Sequence, residues 1–364
     1  MIPITQPFLP PKEEYEALIS KLWDTRWIAN NGMYVQQLEQ KLKEYLNVNS
    51  IYFTSNGTLA LHLALRTLNI TKEVITTPFS FVATSTSILW EKCTPVYVDI
   101  QEHTLCIDPS KIEAAITEKT EAILATHAFG IPCDIDKIER IAQKYHLKVI
   151  YDGAHAFGVK YKGKSLLQYG DLSIVSFHAT KLFHTVEGGG IINNSSEKLN
   201  EKIQLLRHFG YKDMDCERVG INAKNSEFHA AMGLCNMKYI EEIISNRKQI
   251  TNLYDSYLSS IFERPNLNKE VQYNYAYYPI IFKSEKDLLK VKKKLEQNHI
   301  QTKRYFYPSL NNLPYLQTKQ YCPISEDISK RVLCLPLYHD LQMQEVKRIS
   351  QFILEELYEM VENF

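Results

Sequence analysis

Short apolar runs alternate with longer segments of helical periodicity through the first two-thirds of the chain. Glu73-Val74-Ile75-Thr76-Thr77, Pro95-Val96-Tyr97-Val98-Asp99, Ala122-Ile123-Leu124-Ala125-Thr126 and Lys148-Val149-Ile150-Tyr151-Asp152 read as buried strands. Between the last two, Ile135, Ile138, Ile141, Ala142 and Tyr145 recur at helical spacing and mark an amphipathic crossover helix. Further strands are expected at Ile51-Tyr52-Phe53, around Leu172 to Phe177, and around Gly190 to Asn193. A long helical stretch is expected from Ser226 towards Ser259. Alternation of this kind predicts an α/β fold, in which helices cover a mixed, mostly parallel sheet.

After Pro265 the texture changes. Tyr273 to Phe282 alternates like an aromatic strand, and 285–298 is a Lys-rich amphipathic helix. Lys303 to Tyr307 and Val332 to Leu335 read as strands, and Val346, Ile349, Ile353 and Leu357 as a closing helix. The expected organisation is a large domain over 1–245 and a smaller C-terminal α/β domain over 246–364, with the junction between 240 and 265.

Composition narrows the class. The 364 residues suit two domains, and 45% hydrophobic with 23% charged is ordinary for a globular enzyme. Lys+Arg and Asp+Glu are each 42, so the chain lacks the positive excess of a protein that coats nucleic acid. Met1 to Pro7 has neither the basic start nor the apolar run of a secretory leader, and no apolar stretch approaches the ~20 residues that span a bilayer. Seven cysteines without a C-x-x-C pair read as buried thiols in a reducing compartment. The expectation is a cytoplasmic small-molecule enzyme.

Candidate chemistry collects where strands end, the ligand edge of such a sheet. Ser55-Asn56-Gly57-Thr58 lies between a strand and a helix carrying Leu59, Leu61, Leu63 and Leu65. It is either a plain cap or a phosphate cradle of free N–H groups. Asp152-Gly153-Ala154-His155 follows a buried strand, so Asp152 either caps a turn or pairs with a cationic ring nitrogen. Ser176-Phe177-His178-Ala179-Thr180-Lys181 precedes Glu187-Gly188-Gly189-Gly190. Lys181 is either solvated or desolvated enough to be an amine nucleophile.

Gly158-Val159-Lys160-Tyr161-Lys162-Gly163-Lys164-Ser165 satisfies the phosphate-binding G-x-x-x-x-G-K-[ST] pattern. Its interior alternates like a strand and no long helix follows, so a hairpin is expected instead. Histidines 155, 178 and 184 show no metal-ligand spacing, and no metal is expected.

Taken in order, SNGTLALHLAL (55–65), TTPFSFVATSTSI (76–88), YDGAHAFG (151–158), DLSIVSFHATKLFHTVEGGG (171–190) and GINAKNSEFHAAMGL (220–234) resemble one family over nearly the whole chain. It is the DegT/DnrJ/EryC1/StrS group of fold-type-I, pyridoxal-phosphate-dependent sugar aminotransferases. The resemblance implies that Lys181 is the lysine that binds the cofactor covalently and that Asp152 pairs with the pyridine nitrogen. It implies that Gly57, Thr58 and Ser176 bind the phosphate, that Phe81 stacks on the ring and that His155 lies near its phenolic oxygen. Asn222 matches a residue that reaches the phosphate from a partner subunit, which implies a homodimer.

The same resemblance implies a dTDP-linked keto sugar as acceptor, with L-glutamate as donor. A 4-keto-6-deoxy sugar of a surface-polysaccharide pathway fits first and a 3-keto sugar is the alternative, followed by a sugar dehydratase on the same scaffold, which would carry a histidine where this chain has Lys181. Arg26, Trp27 and Asn31, in the Asp24 to Gly32 segment, and Arg304 and Tyr305 are the expected sugar-nucleotide contacts. Lys224 stands where many relatives have Arg, and Tyr307-Pro308-Ser309 replaces a more usual ending in His. Both departures bear on the choice of sugar.

Overall fold

The computed structural model describes residues 1–316 and 318–362. Seven strands form the central sheet: β1 (Ile51–Thr54), β2 (Glu73–Thr76), β3 (Thr94–Tyr97), β4 (Thr120–Thr126), β5 (Lys148–Asp152), β6 (Leu172–Ser176) and β7 (Gly189–Asn193). Their order is β1-β7-β6-β5-β4-β2-β3. The run β6-β5-β4-β2-β3 is parallel, while β7 is antiparallel to both β6 and β1. The mixed, mostly parallel sheet expected from the sequence is therefore the one observed.

The strands read as continuous apolar runs because both faces are covered. Ile123 and Ala125 face one apolar cluster while Ala122 and Leu124 face another, and Val149 and Ile150 divide in the same way. The principal helices are α1 (Lys12–Thr25), α2 (Met33–Leu46), α3 (Gly57–Thr67), α4 (Val82–Trp90), α5 (Ile135–Tyr145), α6 (Glu197–Arg207), α7 (Glu227–Asn236) and α8 (Ile240–Leu258). The crossover helix α5 shows the local logic. Asp134 accepts the Lys137 N–H at its start, His146 closes it in the left-handed conformation, and Ile135, Ile138 and Ala142 are its buried face. Full burial of a side chain such as Ile138 contributes about 1.5–3 kcal/mol.

The single long helix expected from Ser226 is two, α7 and α8, separated by a 3₁₀ turn over Met237–Tyr239. The buried Asn236 at the break donates from its side chain to the His184 carbonyl at 2.9 Å. Along α8 the packing changes hands: Ile240 and Ile243 join the cluster of the central sheet, whereas Ile250, Tyr254 and Leu258 join a separate one. That second cluster is built from β8 (Tyr278–Ile281), α9 (Glu285–Gln297), β9 (Val332–Leu335) and α11 (Met343–Glu362), with α10 (Pro323–Arg331) leading into β9.

Two expectations for this region change. The aromatic alternation from Tyr273 yields a strand only over β8. Upstream, the Tyr273 hydroxyl donates to the Phe129 carbonyl and the Asn274 amide donates to the carbonyls of His155 and Phe157, so side-chain bonds replace a ladder. Lys303 to Tyr307 contributes a single bridge, Lys303 to Cys334. Ile2 bridges Ile300 in parallel, and Leu337 donates its N–H to the Ile4 carbonyl at 3.2 Å, so backbone pairing ties the start of the chain to the C-terminal unit.

The segment matching the phosphate-loop pattern is a hairpin. Lys160-Tyr161 pairs with Lys164-Ser165, and Lys162 and Gly163 turn the chain with φ of 50° and 76°, the two positive values of a type I′ turn. Only a three-residue 3₁₀ turn follows it. Among the described residues no helix is long and apolar enough to cross a membrane.

Candidate active site

The carboxyl ends of β1, β2, β4, β5 and β6 and the amino end of β7 share one edge of the sheet. Residues just beyond them line a cavity of about 330 Å³: Asn56, Gly57 and Thr58 after β1, Ser80 and Phe81 after β2, and Asp152 and His155 around the end of β5. Ser176 and Lys181 come from the end of β6 and beyond it, and Glu187 from the turn into β7. Tyr277, Tyr305 and Phe306 close the cavity from the C-terminal side.

Close backbone packing fixes the start of α3 here. The Asn56 side chain accepts the Leu59 N–H at 2.8 Å, which leaves the first-turn N–H groups of Gly57 and Thr58 without a partner inside the helix. A Cβ on Gly189 would lie 2.5 Å from the Asn56 carbonyl carbon and 2.6 Å from the Gly57 nitrogen, so β7 can approach only as glycine. A Cβ on Gly57 would meet the Ser176 Cβ at 3.1 Å. The helix N-terminus and Ser176 therefore sit side by side on the cavity wall, an arrangement whose N–H groups and hydroxyl suit an anion.

Asp152 is buried. Its Oδ2 accepts from the Thr84 hydroxyl at 2.7 Å and its Oδ1 from the Ala154 N–H at 3.1 Å. Burial pushes its carboxyl above the ordinary Asp value, and these two hydrogen bonds and the charge of Lys181 pull it back. Lys181 Nζ donates to the Tyr277 hydroxyl at 3.2 Å. Desolvation lowers the amine to about 8, with the Asp152 charge opposing. A buried carboxylate and an amine lowered to about 8, each favouring the other's charge, thus face the same space.

His155 is buried and lies parallel to Phe306, with ring centroids 5.7 Å apart and 3° between the planes. Its Nδ1 accepts the Phe129 N–H at 3.1 Å, and burial drives its pKa well below the usual value. The ring is neutral, with its proton on Nε2 as a donor. Of the other two histidines named from the sequence, His178 bonds locally to the Thr180 hydroxyl at 2.8 Å and His184 bonds to the distant Phe8 carbonyl at 2.7 Å. Among the described residues no group of three His, Cys, Asp or Glu side chains could hold a metal.

The chemistry of this donor set suits pyridoxal phosphate: an anion cradle, a buried carboxylate for a ring cation, a neutral N–H donor and a desolvated amine. Of the residues named from sequence, Gly57, Thr58, Phe81, Asp152, His155, Ser176, Lys181 and Tyr305 line the cavity. Arg304 does not. One guanidinium nitrogen pairs with Glu285 at 2.7 Å and donates to the carbonyls of Ser329 and Lys330, and the group covers the Tyr307 ring at 3.6 Å.

Arg26, Trp27 and Asn31 also lie outside the cavity lining, on the exposed loop between α1 and α2. The Glu227 N–H binds the Ile28 carbonyl there, and the Glu227 carboxylate takes the N–H groups of Tyr34 and Val35. Asn222 is exposed, bridges His208 and accepts from Lys224 at 2.9 Å. Thr84, Tyr277 and Phe306 are site residues that sequence reading did not single out. Thr84 lay inside the 76–88 motif, and Tyr277 and Phe306 in segments read as strands.

A doubly covered mixed sheet with this amine and carboxylate at its carboxyl edge places the protein in the class of pyridoxal-phosphate-dependent aminotransferases. The chain belongs to the DegT/DnrJ/EryC1/StrS aminotransferase family, whose model matches residues 11–354. It is 42% identical, over 97% of its length and 98% of the relative's, to a dTDP-4-amino-4,6-dideoxy-D-glucose transaminase of Escherichia coli. The solved structure of DesI in the presence of its TDP-sugar product superposes with a TM-score of 0.90 at 28% identity, covering 96% of this chain and 91% of that one. NtdA from Bacillus subtilis, with bound cofactor PMP, gives 0.88 at 29% identity, covering 95% and 82%.

Proposed function

We propose that the protein moves an amine from L-glutamate to the keto carbon of dTDP-4-keto-6-deoxy-D-glucose, forming dTDP-4-amino-4,6-dideoxy-D-glucose for a surface polysaccharide. The observation that carries this reading is the convergence of Lys181, Asp152 and the α3 N-terminus on one cavity. The choice of sugar rests on the 42% identity to the E. coli transaminase.

Bound pyridoxal phosphate supplies an electron sink for the electrons left when a proton leaves the carbon bearing the amine. Asp152, whose carboxylate form the Ala154 N–H and the Thr84 hydroxyl favour against its burial, would pair with the ring nitrogen and favour its protonated form. Gly57, Thr58 and Ser176 would hold the phosphate and Phe81 would cover the ring, and His155, with Nδ1 taken by the Phe129 N–H, would offer its Nε2–H as a donor. Lys181 would anchor the cofactor through Nζ, and its desolvated amine, lowered to about 8 in the protein alone, is the group placed to hold and return a proton there. Tyr277, Tyr305 and Phe306 limit water at the reacting centre.

The active unit in this reading is a cytoplasmic homodimer. Asn222 lies on a segment that presents Phe209, Tyr211, Met214, Val219 and Ile221 to solvent, and the α1–α2 loop presents Trp27 and Ile28. An exposed apolar surface of this kind suits a second copy, to whose site Asn222 and the Arg26, Trp27 and Asn31 loop would contribute. The domains are drawn as a large unit reaching into α8 at about residue 245, and a small unit from there to the C-terminus that also takes residues 2–4.

Incubation with glutamate and separate 3-keto and 4-keto dTDP sugars, with products read by mass and NMR, tests the assignment. Amination of the 4-keto sugar supports it, and exclusive amination of the 3-keto sugar overturns it.

A further inference from the structure

From the Thr84 bond to Asp152 a file of three buried hydroxyls runs along the cavity wall, and its second and third members have no part in the chemistry above. Thr84 Oγ1 is 2.7 Å from Asp152 Oδ2, Ser80 Oγ is 2.7 Å from Thr84 Oγ1, and Thr126 Oγ1 is 3.0 Å from Ser80 Oγ. All four residues are buried, with 0% to 4% of their surface exposed. Three elements supply them: Thr84 is in the first turn of α4, Ser80 is in the loop after β2, and Thr126 ends β4 directly opposite Asp152 in the parallel register.

The protons along this file can be ordered. An ionised carboxylate only accepts, so the Thr84 proton is committed to Asp152. In the next contact Thr84 can then only accept, and Ser80 donates. With the Ser80 proton committed, Thr126 donates to Ser80. Three O–H dipoles point head to tail at one oxygen, in a site where little water screens them. Were Asp152 protonated with its proton on Oδ2, the file would have to reverse. An ionised carboxylate imposes this order along the whole file.

We propose that Thr84, backed by Ser80 and Thr126, is a positioning residue for transamination: it holds Asp152 ionised and turned towards the cofactor's ring nitrogen. The proposal rests on the reading of Asp152 as the partner of that nitrogen. The other groups facing Asp152 are the Ala154 N–H on Oδ1, the Lys181 cation and the Tyr277 phenol, with neutral His155 nearby in the cavity wall. Of these, only Lys181 offsets the carboxylate's charge, and it is the group that must move during turnover. The hydroxyl file is fixed by packing and remains in place when the amine swings away.

The test uses the holoenzyme loaded with pyridoxal phosphate carrying an isotope label at the ring nitrogen. NMR reads the protonation of that nitrogen, and stopped-flow absorbance reads the half-reaction with glutamate. Thr84→Val keeps the side-chain shape and removes the donor. It should move the ring-nitrogen resonance towards neutral pyridine and slow the half-reaction by about ten- to a hundred-fold, the range for a hydrogen bond to a charged group. Thr84→Ser should restore both readouts. Ser80→Ala should give a smaller loss and Thr126→Val a smaller one again, in that order and independently of their melting temperatures.

A wild-type resonance in Thr84→Val, or a Thr84→Ser variant as impaired as Thr84→Val, overturns the proposal while leaving the role of Asp152 intact. A neutral ring nitrogen in the wild-type holoenzyme overturns the role of Asp152 itself, and the proposal with it.

Discussion

The Lys181 amine donates to the hydroxyl of Tyr277, 3.2 Å away, and this bond joins the loop after β6 to the segment that leads into the C-terminal strand β8. Tyr277 is wedged between His155, at a centroid separation of 4.5 Å, and Tyr305, at 5.7 Å. Its burial pushes the phenol well above the ordinary tyrosine value, so it stays protonated and can guide an amine but not act as a base at neutral pH. Lys181 therefore has a defined resting place next to the reacting centre.

Tyr277→Phe removes this guide without emptying the aromatic wedge. The expected result is a kcat lower by roughly ten-fold, one net hydrogen bond's worth, with KM for glutamate changed less than three-fold and an unchanged melting temperature. Steady-state kinetics beside a melting curve check it. An equal loss in stability would recast Tyr277 as a packing residue.

The depressed amine sets a pH dependence. A buried lysine at about 8, below the usual 10.5, becomes neutral and nucleophilic two or more pH units earlier than a solvated one. Stripped enzyme should take up pyridoxal phosphate at a rate that rises through a midpoint near about 8 and then levels off. Linkage has the same sign: between the folded and unfolded pKa values the unfolded chain binds the extra proton, so stability contributed at this residue rises with pH across that window. An uptake midpoint near 10.5 would contradict the desolvated geometry.

Arg304 illustrates how far sequence reading reached. The resemblance marked its segment as a substrate contact, yet its bonds to Glu285, Ser329 and Lys330 staple α9 to the end of α10. Arg304→Ala should lower stability by about 1–3 kcal/mol through the lost charged hydrogen bonds, and leave KM for the sugar nucleotide within two-fold. Denaturant unfolding and saturation kinetics separate the two effects.

The buried strands were legible because both faces of the sheet are covered, so each strand is an unbroken apolar run bounded by polar residues. Polar residues at strand ends, such as Asp152 and Ser176, stand out for the same reason, since they mark the ligand edge of such a sheet, while the roles expected of them came from the family resemblance. Thr84 was hidden because nothing local separates it from Ser85, Thr86 and Ser87 on the same short helix. Only the order of β2, β4 and β5 carries it to a carboxylate 68 positions away. Tyr277 was hidden by the alternation of Tyr273 to Phe282, which strand periodicity describes equally well. There the deciding interactions are the Asn274 amide on the His155 and Phe157 carbonyls and the Tyr273 hydroxyl on Phe129, contacts with residues more than a hundred positions distant.

Borohydride reduction of the yellow holoenzyme followed by peptide mapping addresses Lys181 most directly. The visible band should bleach, a single peptide should carry the reduced pyridoxyl group on Lys181, and Lys181→Ala should show neither the label nor turnover. A pyridoxyl label on any other residue, or normal turnover in Lys181→Ala, would contradict the assignment of this amine as the covalent anchor and proton carrier.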